Sequence, residues 1–112
     1  MYKISDYTIY PGPRYITEGL YSGEDFRKTH LSNLVKDVIQ KKIKLVIDLD
    51  GTNGYSTGFL EEAFGGLIRE DNIRAYPLLK SIDFKSEEEP YLVDEILSYI
   101  LNAQLKARLQ EL

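Results

Sequence analysis

Apolar and polar positions divide the chain into helix-like and strand-like stretches. Ser22-Gly23-Glu24-Asp25 reads as a helix start: the serine hydroxyl can accept the amide three residues on, and the acidic pair sits at the positive end of the helix dipole. Beyond Phe26, Leu31, Leu34, Val35, Val38 and Ile39 fall at helical spacings of three and four, until Lys41 and Lys42 close the helix. Residues 43–49 are near-continuously apolar and branched, which predicts a strand in the middle of a sheet. Residues 50–58 hold three glycines, an asparagine, a serine and threonines, so the chain turns there. A second helix follows, with Phe59, Leu60, Ala63, Phe64, Leu67 and Ile68 as its buried side. Gly65-Gly66 inside it costs about 1 kcal/mol per glycine relative to alanine, and close approach of that helix to the sheet is the expected compensation.

The remaining stretches are less regular. Residues 2–9 read as a weak strand, broken by Tyr10-Pro11-Gly12-Pro13, and 14–21 as a second strand returning along it. Residues 72–80 read two ways, since Pro77 argues against a central strand while Ile73, Tyr76 and Leu79 suggest a short helix. Residues 81–84 are expected to form an edge strand. Ser86-Glu87-Glu88-Glu89-Pro90 then opens a last helix reaching about residue 109, with a stripe of Val93, Ile96, Leu97, Ile100 and Leu101. Past that stripe, Leu105, Leu109 and Leu112 either frame a homodimer contact or fray. The expectation is one α/β domain over residues 1–112, with about four strands in a mixed sheet flanked by helices.

Composition narrows the function classes. The chain has no cysteine, which excludes a disulfide framework and thiolate metal or redox chemistry and fits a reducing compartment. No apolar run approaches the ~20 residues of a membrane-spanning helix, and Met1-Tyr2-Lys3-Ile4-Ser5-Asp6 lacks the apolar core of a signal peptide, so the expected location is cytoplasmic. A net charge of −4 gives no support to nucleic-acid binding. The one dense basic stretch, Lys41-Lys42-Ile43-Lys44, reads as a helix end and a solvated junction. Nine tyrosines are scattered rather than spaced as a stacking platform, and fit half-buried packing positions with a wet hydroxyl.

Val46-Ile47-Asp48-Leu49-Asp50-Gly51-Thr52 resembles the first motif of the haloacid-dehalogenase phosphatases. That resemblance implies Asp48 as nucleophile and Asp50 as general acid/base beside magnesium, because side chains at i and i+2 leave a strand on one face. Against it, the family places this strand near the N-terminus and needs a downstream aspartate pair, whereas Asp71, Asp83 and Asp94 stand singly and Asn53 takes a usually apolar position. The plainer reading has Asp48 and Asp50 accepting amides of the turn.

A longer resemblance covers nearly the whole chain. Residues 45–52 and 54–67, with Pro11-Gly12-Pro13-Arg14-Tyr15, Tyr21-Ser22-Gly23-Glu24-Asp25-Phe26-Arg27, Glu88-Glu89-Pro90 and Val93-Asp94-Glu95-Ile96, resemble the STAS-like domain family of unknown function. The resemblance implies a sheet flanked by helices, akin to the anti-sigma-factor antagonist fold; no catalytic activity, cofactor or metal is expected, since no second acidic cluster stands opposite Asp48 and Asp50. In those distant relatives the loop between a central strand and the next helix carries a hydroxyl residue that a partner kinase, an ATPase-like enzyme, phosphorylates. By position Ser56 and Thr57 are the equivalents, although no acidic residue precedes them in Tyr55-Ser56-Thr57-Gly58.

The leading expectation is therefore a regulatory or protein-interaction module that docks through residues 50–58 and the following helix start, with Asp50, Gly54, Tyr55, Ser56, Thr57 and Gly58 as the contact set. Magnesium-dependent phosphatase chemistry at Asp48 and Asp50, or capture of a small anion or nucleotide at the same helix start, are the alternatives. Arg14, Ser22 and Gly23 form a candidate secondary surface. His30 reads as a surface or half-buried helix residue, and Glu61 and Glu62 as structural charges at a helix start.

Overall fold

The computed structural model describes residues 1–111. Three short strands, β1 (Tyr2–Lys3), β2 (Leu45–Asp48) and β3 (Ile82–Lys85), form one sheet in the order β1-β2-β3. Both pairings are parallel, with Tyr2 opposite Ile47 and Leu45 opposite Ile82. The sheet thus has three strands rather than four and is parallel rather than mixed. As its apolar run predicts, β2 is central, and β3 is the expected edge strand.

Among the described residues, four helices accompany the sheet. The first opens as Gly23–Phe26, passes through a π-helical segment at Arg27–Leu31 and continues as Ser32–Lys41; this continuous helix is α1. Lys42, in the left-handed conformation, ends it. Helix α2 has the same construction: Thr57–Leu60, a π-helical segment at Glu61–Gly65, then Gly66–Arg69. Helix α3 is Ala75–Ser81 and α4 is Tyr91–Gln110. The middle of α2 packs against α1 on one side and α4 on the other. Accordingly Phe59, Leu60, Ala63, Phe64, Leu67 and Ile68 are all buried, as their pattern predicts. Phe26 of α1 stacks on Phe59 of α2 with ring centroids 5.8 Å apart, and Phe64 meets Phe84 of β3 edge-on.

Several expectations are corrected. Residues 2–9 pair for only two residues before the chain turns into a 3-10 segment at Ile4–Asp6, because Ile4 enters the core and its carbonyl accepts the amides of Tyr7 and Thr8. Residues 14–21 form no strand. Three of their amides go to side chains instead: the Glu18 carboxylate accepts the Arg14 and Tyr15 amides, and the Glu24 carboxylate accepts that of Ile16. Of residues 72–80, 75–80 are helical, with Pro77 in the first turn where its missing N–H has no intrahelical use. Its buried face is Ala75 and Leu78 rather than Tyr76, which is 74% exposed.

Helix α4 starts later than expected. Ser86 does not cap it; its hydroxyl donates to the Glu89 carbonyl at 2.7 Å. The buried face is Leu92, Ile96, Ile100 and Ala103, while Leu101 stands in solvent. Of the leucines beyond the stripe, Leu105 and Leu109 are exposed and Leu112 lies outside the described residues. No helix among the described residues is long and apolar enough to cross a membrane.

Candidate functional site

The loop after β2 is held at its start by two carboxylates. Asp48, buried at the end of β2, accepts the Asp50 amide at 2.9 Å, and its other oxygen lies 3.8 Å from Lys85 Nζ. The Asp50 carboxylate accepts the amides of Glu87 and Glu88 at 3.1 and 3.0 Å. The Glu88 amide, joined by that of Glu87 against partial desolvation, holds the Asp50 carboxyl below its ordinary range. These two aspartates thus clamp the loop after β2 to the loop after β3. They behave as acceptors for turn amides.

Further along, Gly51 and Gly54 adopt positive φ (88° and 107°), which lets the loop reverse without a side-chain clash. Tyr55 turns back so that its hydroxyl donates to the Leu49 carbonyl at 2.8 Å, and burial raises its pKa well above the ordinary phenol value. Ser56 caps α2. Its Oγ accepts the Phe59 amide at 3.0 Å and donates to the Gly12 carbonyl. Thr57, the first residue of α2, is exposed, and among the described residues its hydroxyl has no protein partner. Gly58 lies against the Arg14 side chain, which a Cβ at that position would meet at 3.3 Å.

Residues 9–14 lie over this loop as a strap. The Ile9 carbonyl accepts the Asn53 amide at 2.7 Å and the Pro11 carbonyl accepts the Ser56 amide at 3.0 Å. The Pro13 and Arg14 carbonyls take the Gly23 and Glu24 amides at 2.9 and 3.0 Å. One irregular segment therefore supplies acceptors to the starts of both α1 and α2, whose first amides have no intrahelical partner. Around these hydrogen bonds, residues 9–21 expose Ile9, Tyr10, Tyr15, Ile16, Leu20 and Tyr21 to solvent.

Of the residues singled out from sequence, Asp50, Gly54, Tyr55, Ser56, Thr57 and Gly58 are brought together in this loop, with Arg14 beside them. Ser22 and Gly23 form no surface. Ser22 is fully buried with its Oγ accepting the Asp25 amide at 2.9 Å, and a Cβ on Gly23 would lie 2.3 Å from the Phe59 carbonyl oxygen. His30 is an exposed residue of α1, edge-on to Tyr7.

The largest omission from the sequence reading is a chain of charges linking the strap to the core. Arg14 Nη1 donates to Glu61 at 2.6 Å, and Arg69 bridges Glu61 and Glu62 at 2.9 and 3.2 Å. Glu62 accepts from Arg27 Nη2 at 2.8 Å, and Arg27 Nη1 reaches Asp71 at 3.2 Å. Arg27 and Glu62 are 2% and 4% exposed. For Glu61, burial pushes the carboxyl up, but hydrogen bonds from Arg69 and Arg14 together outweigh it and leave the pKa lowered. This chain also explains Gly65-Gly66. A Cβ on Gly66 would sit 2.4 Å from Arg27 Nε, and one on Gly65 would sit 2.4 Å from a Glu61 oxygen. The glycines make room for charged side chains rather than for the sheet.

Comparison with known proteins adds one finding. The family model described as a STAS-like domain of unknown function (DUF4325) matches residues 22–92, more than half of the chain. The chain belongs to that family. The matched region of this STAS-like domain runs from the Ser22 cap of α1 into the first turn of α4 and contains the whole 50–58 loop. The strap at 9–14 lies before it. No curated protein and no solved structure matches.

Proposed function

We propose that this STAS-like domain is a non-enzymatic regulatory module that binds a protein partner through the 50–58 loop, the start of α2 and the adjoining segment 9–21. The observation that supports it best is the exposure of Ile9, Tyr10, Tyr15, Ile16, Leu20 and Tyr21 on a segment whose Ile9 and Pro11 carbonyls accept amides of that loop. Large apolar and tyrosine side chains gathered beside a loop are the composition of a protein-binding surface, since tyrosine offers wide contact area with a polar tip.

Thr57 is the regulatory phosphoacceptor in this reading. The Ser56 hydroxyl already donates once and accepts once, so a phosphoryl group there breaks two structural bonds. The Thr57 hydroxyl is exposed on the next residue, and the Arg14 side chain lies against Gly58, one residue further on. A dianion at that position is tolerated by the helix dipole and adds charge to the docking face. An ATPase-like kinase is the expected modifying partner. The phosphatase-type and anion-binding alternatives have weaker support, because both Asp50 oxygens take backbone amides and the Phe59 amide is held by Ser56.

Tagged wild type, Tyr10→Ser/Leu20→Ser, Thr57→Glu and Ser56→Ala proteins purified from the source cells test this. Co-purified partner should fall at least tenfold for the first two variants. Ser56→Ala should retain the partner while losing about 1 kcal/mol of stability with its cap. Unchanged partner recovery in both Tyr10→Ser/Leu20→Ser and Thr57→Glu would overturn the proposed docking face.

A further inference from the structure

Helix α4 buries one face and leaves the opposite one bare. Leu101, Leu105 and Leu109 are 53%, 58% and 58% exposed, and their spacing of four places them along a single ridge. Ser98 and Asp94 continue this outer face toward the helix start, and Arg108 flanks it near the end; all three are exposed. The seam thus carries a carboxylate near its start and leucines from Leu101 onward, with a guanidinium beside the last of them. Among the described residues neither Asp94 nor Arg108 is engaged in an ion pair.

We infer that this face is a homodimer interface in which two copies of α4 pack antiparallel about a two-fold axis near Leu101. Asp94 and Arg108 lie seven residues to either side of Leu101, about 10 Å along the helix at 1.5 Å per residue. A two-fold axis at that point sets Asp94 of each copy across from Arg108 of the other, with Leu101 meeting Leu101 on the axis and Leu105 of each copy level with Leu97 and Ser98 of the other. Each copy carries both halves of the match, which is the requirement for a closed, isologous pair. A parallel arrangement sets Asp94 against Asp94 and Arg108 against Arg108, and like charges across an interface disfavour it. Antiparallel packing also opposes the two helix dipoles. An interface built mainly from one helix per copy lies near the low end of stable interface sizes, ~1,200 Å², so the dimer is expected to dissociate in the micromolar range.

Sedimentation equilibrium of the full chain from about 2 to 200 µM tests this. Wild type should shift from monomer to dimer over that range, and Leu105→Glu should remain monomeric with an unchanged circular dichroism spectrum. Asp94→Arg and Arg108→Asp should each raise the dissociation constant at least tenfold, and the double charge swap should bring it back to within threefold of wild type. A wild-type monomer at 200 µM overturns the inference. A dimer that survives Leu105→Glu places the interface elsewhere and overturns it too. If the double swap fails to restore association while both single swaps weaken it, the antiparallel register is wrong.

Discussion

The ion pair between Arg27 and Glu62 should dominate the response of this domain to single substitutions in its polar interior. Arg27 makes four hydrogen bonds: Nε to the Glu62 carbonyl at 3.1 Å, Nη2 to the Glu62 carboxylate at 2.8 Å, and Nη1 to both Asp71 oxygens at 3.2 and 3.3 Å. Arg27→Met keeps most of the side-chain volume but leaves the buried Glu62 carboxylate with Arg69 as its remaining cation. Removing one member of a buried pair costs about 3–5 kcal/mol, and the residual Arg69 contact points to the lower end, about 3 kcal/mol. Total stability is about 5–15 kcal/mol for a domain of this kind, so the variant stays folded with a much reduced margin. With a urea slope of about 1–1.5 kcal/mol/M, its midpoint should fall by about 2–3 M. The companion variant Glu62→Leu strands Arg27 between a carbonyl and Asp71, and should lose a comparable amount. The double variant Arg27→Met/Glu62→Leu removes both charges together and should recover about 1–3 kcal/mol relative to the sum of the singles. Urea unfolding followed by far-ultraviolet circular dichroism at pH 7 measures all four corners of the cycle. A single-variant loss below 1 kcal/mol, or strict additivity in the double, would refute the claim that the two groups hold each other in the interior.

Two further outcomes follow from geometry elsewhere. Gly23→Ala places a Cβ 2.3 Å from the Phe59 carbonyl oxygen, an atom of the backbone, so α1 and α2 must separate; a loss of about 2–3 kcal/mol is expected in thermal or urea melts. Stability should also decline in acid: the Asp50, Glu24 and Glu61 carboxyls have pKa values lowered in the folded state. A lowered folded value means the unfolded chain binds more protons, so this stabilisation is complete above the ordinary carboxylate range of about 4 and is lost as pH falls through the folded values. Urea midpoints between pH 7 and 2.5 check it, and Asp50→Asn should make the acid limb shallower; an identical limb in that variant would show that the Asp50 clamp does not contribute.

Much of the fold was legible because local chemistry and tertiary packing agree. The Ser22 cap, the apolar run that becomes β2, the turn residues at 50–58 and the wholly buried side of α2 all follow from pattern alone. The N-terminal region was misread for an identifiable reason. Its β-branched and aromatic residues have strand propensity, but two prolines remove amides and Glu18 and Glu24 satisfy others, so no partner strand is needed. Tyr10, Tyr15 and Tyr21 instead face solvent. The π-helical segments did leave a trace. Phe26 and Leu31, both fully buried, are five residues apart, a spacing that an uninterrupted α-helix does not keep on one face and that a π turn does. Arg27 was passed over because it falls between apolar positions. A pattern of hydrophobicity has no way to mark an arginine whose partners lie 35 and 44 residues away.

The charge chain bears on how the proposed docking surface can sit on so small a sheet. Strands of two and four residues supply few ladder bonds, so the ends of α1 and α2 cannot be positioned by the sheet alone. Two other devices position them. The close approach at Gly23 sets the two helices nearly in backbone contact, and the Arg27–Glu62 pair joins the π-helical segments that follow. Glu61, beside Glu62, then reaches outward to Arg14, so the strap is tied through one continuous run of charged groups to the most buried polar pair of the domain. The segment carrying the exposed tyrosines is accordingly held in place before any partner arrives, and a partner that docks there loses little affinity to ordering it. In the proposed reading, a charge added at Thr57 would compete with Glu61 for the Arg14 guanidinium, which lies against the neighbouring Gly58. Regulation at that threonine would then act on the strap's anchor as well as on the docking face.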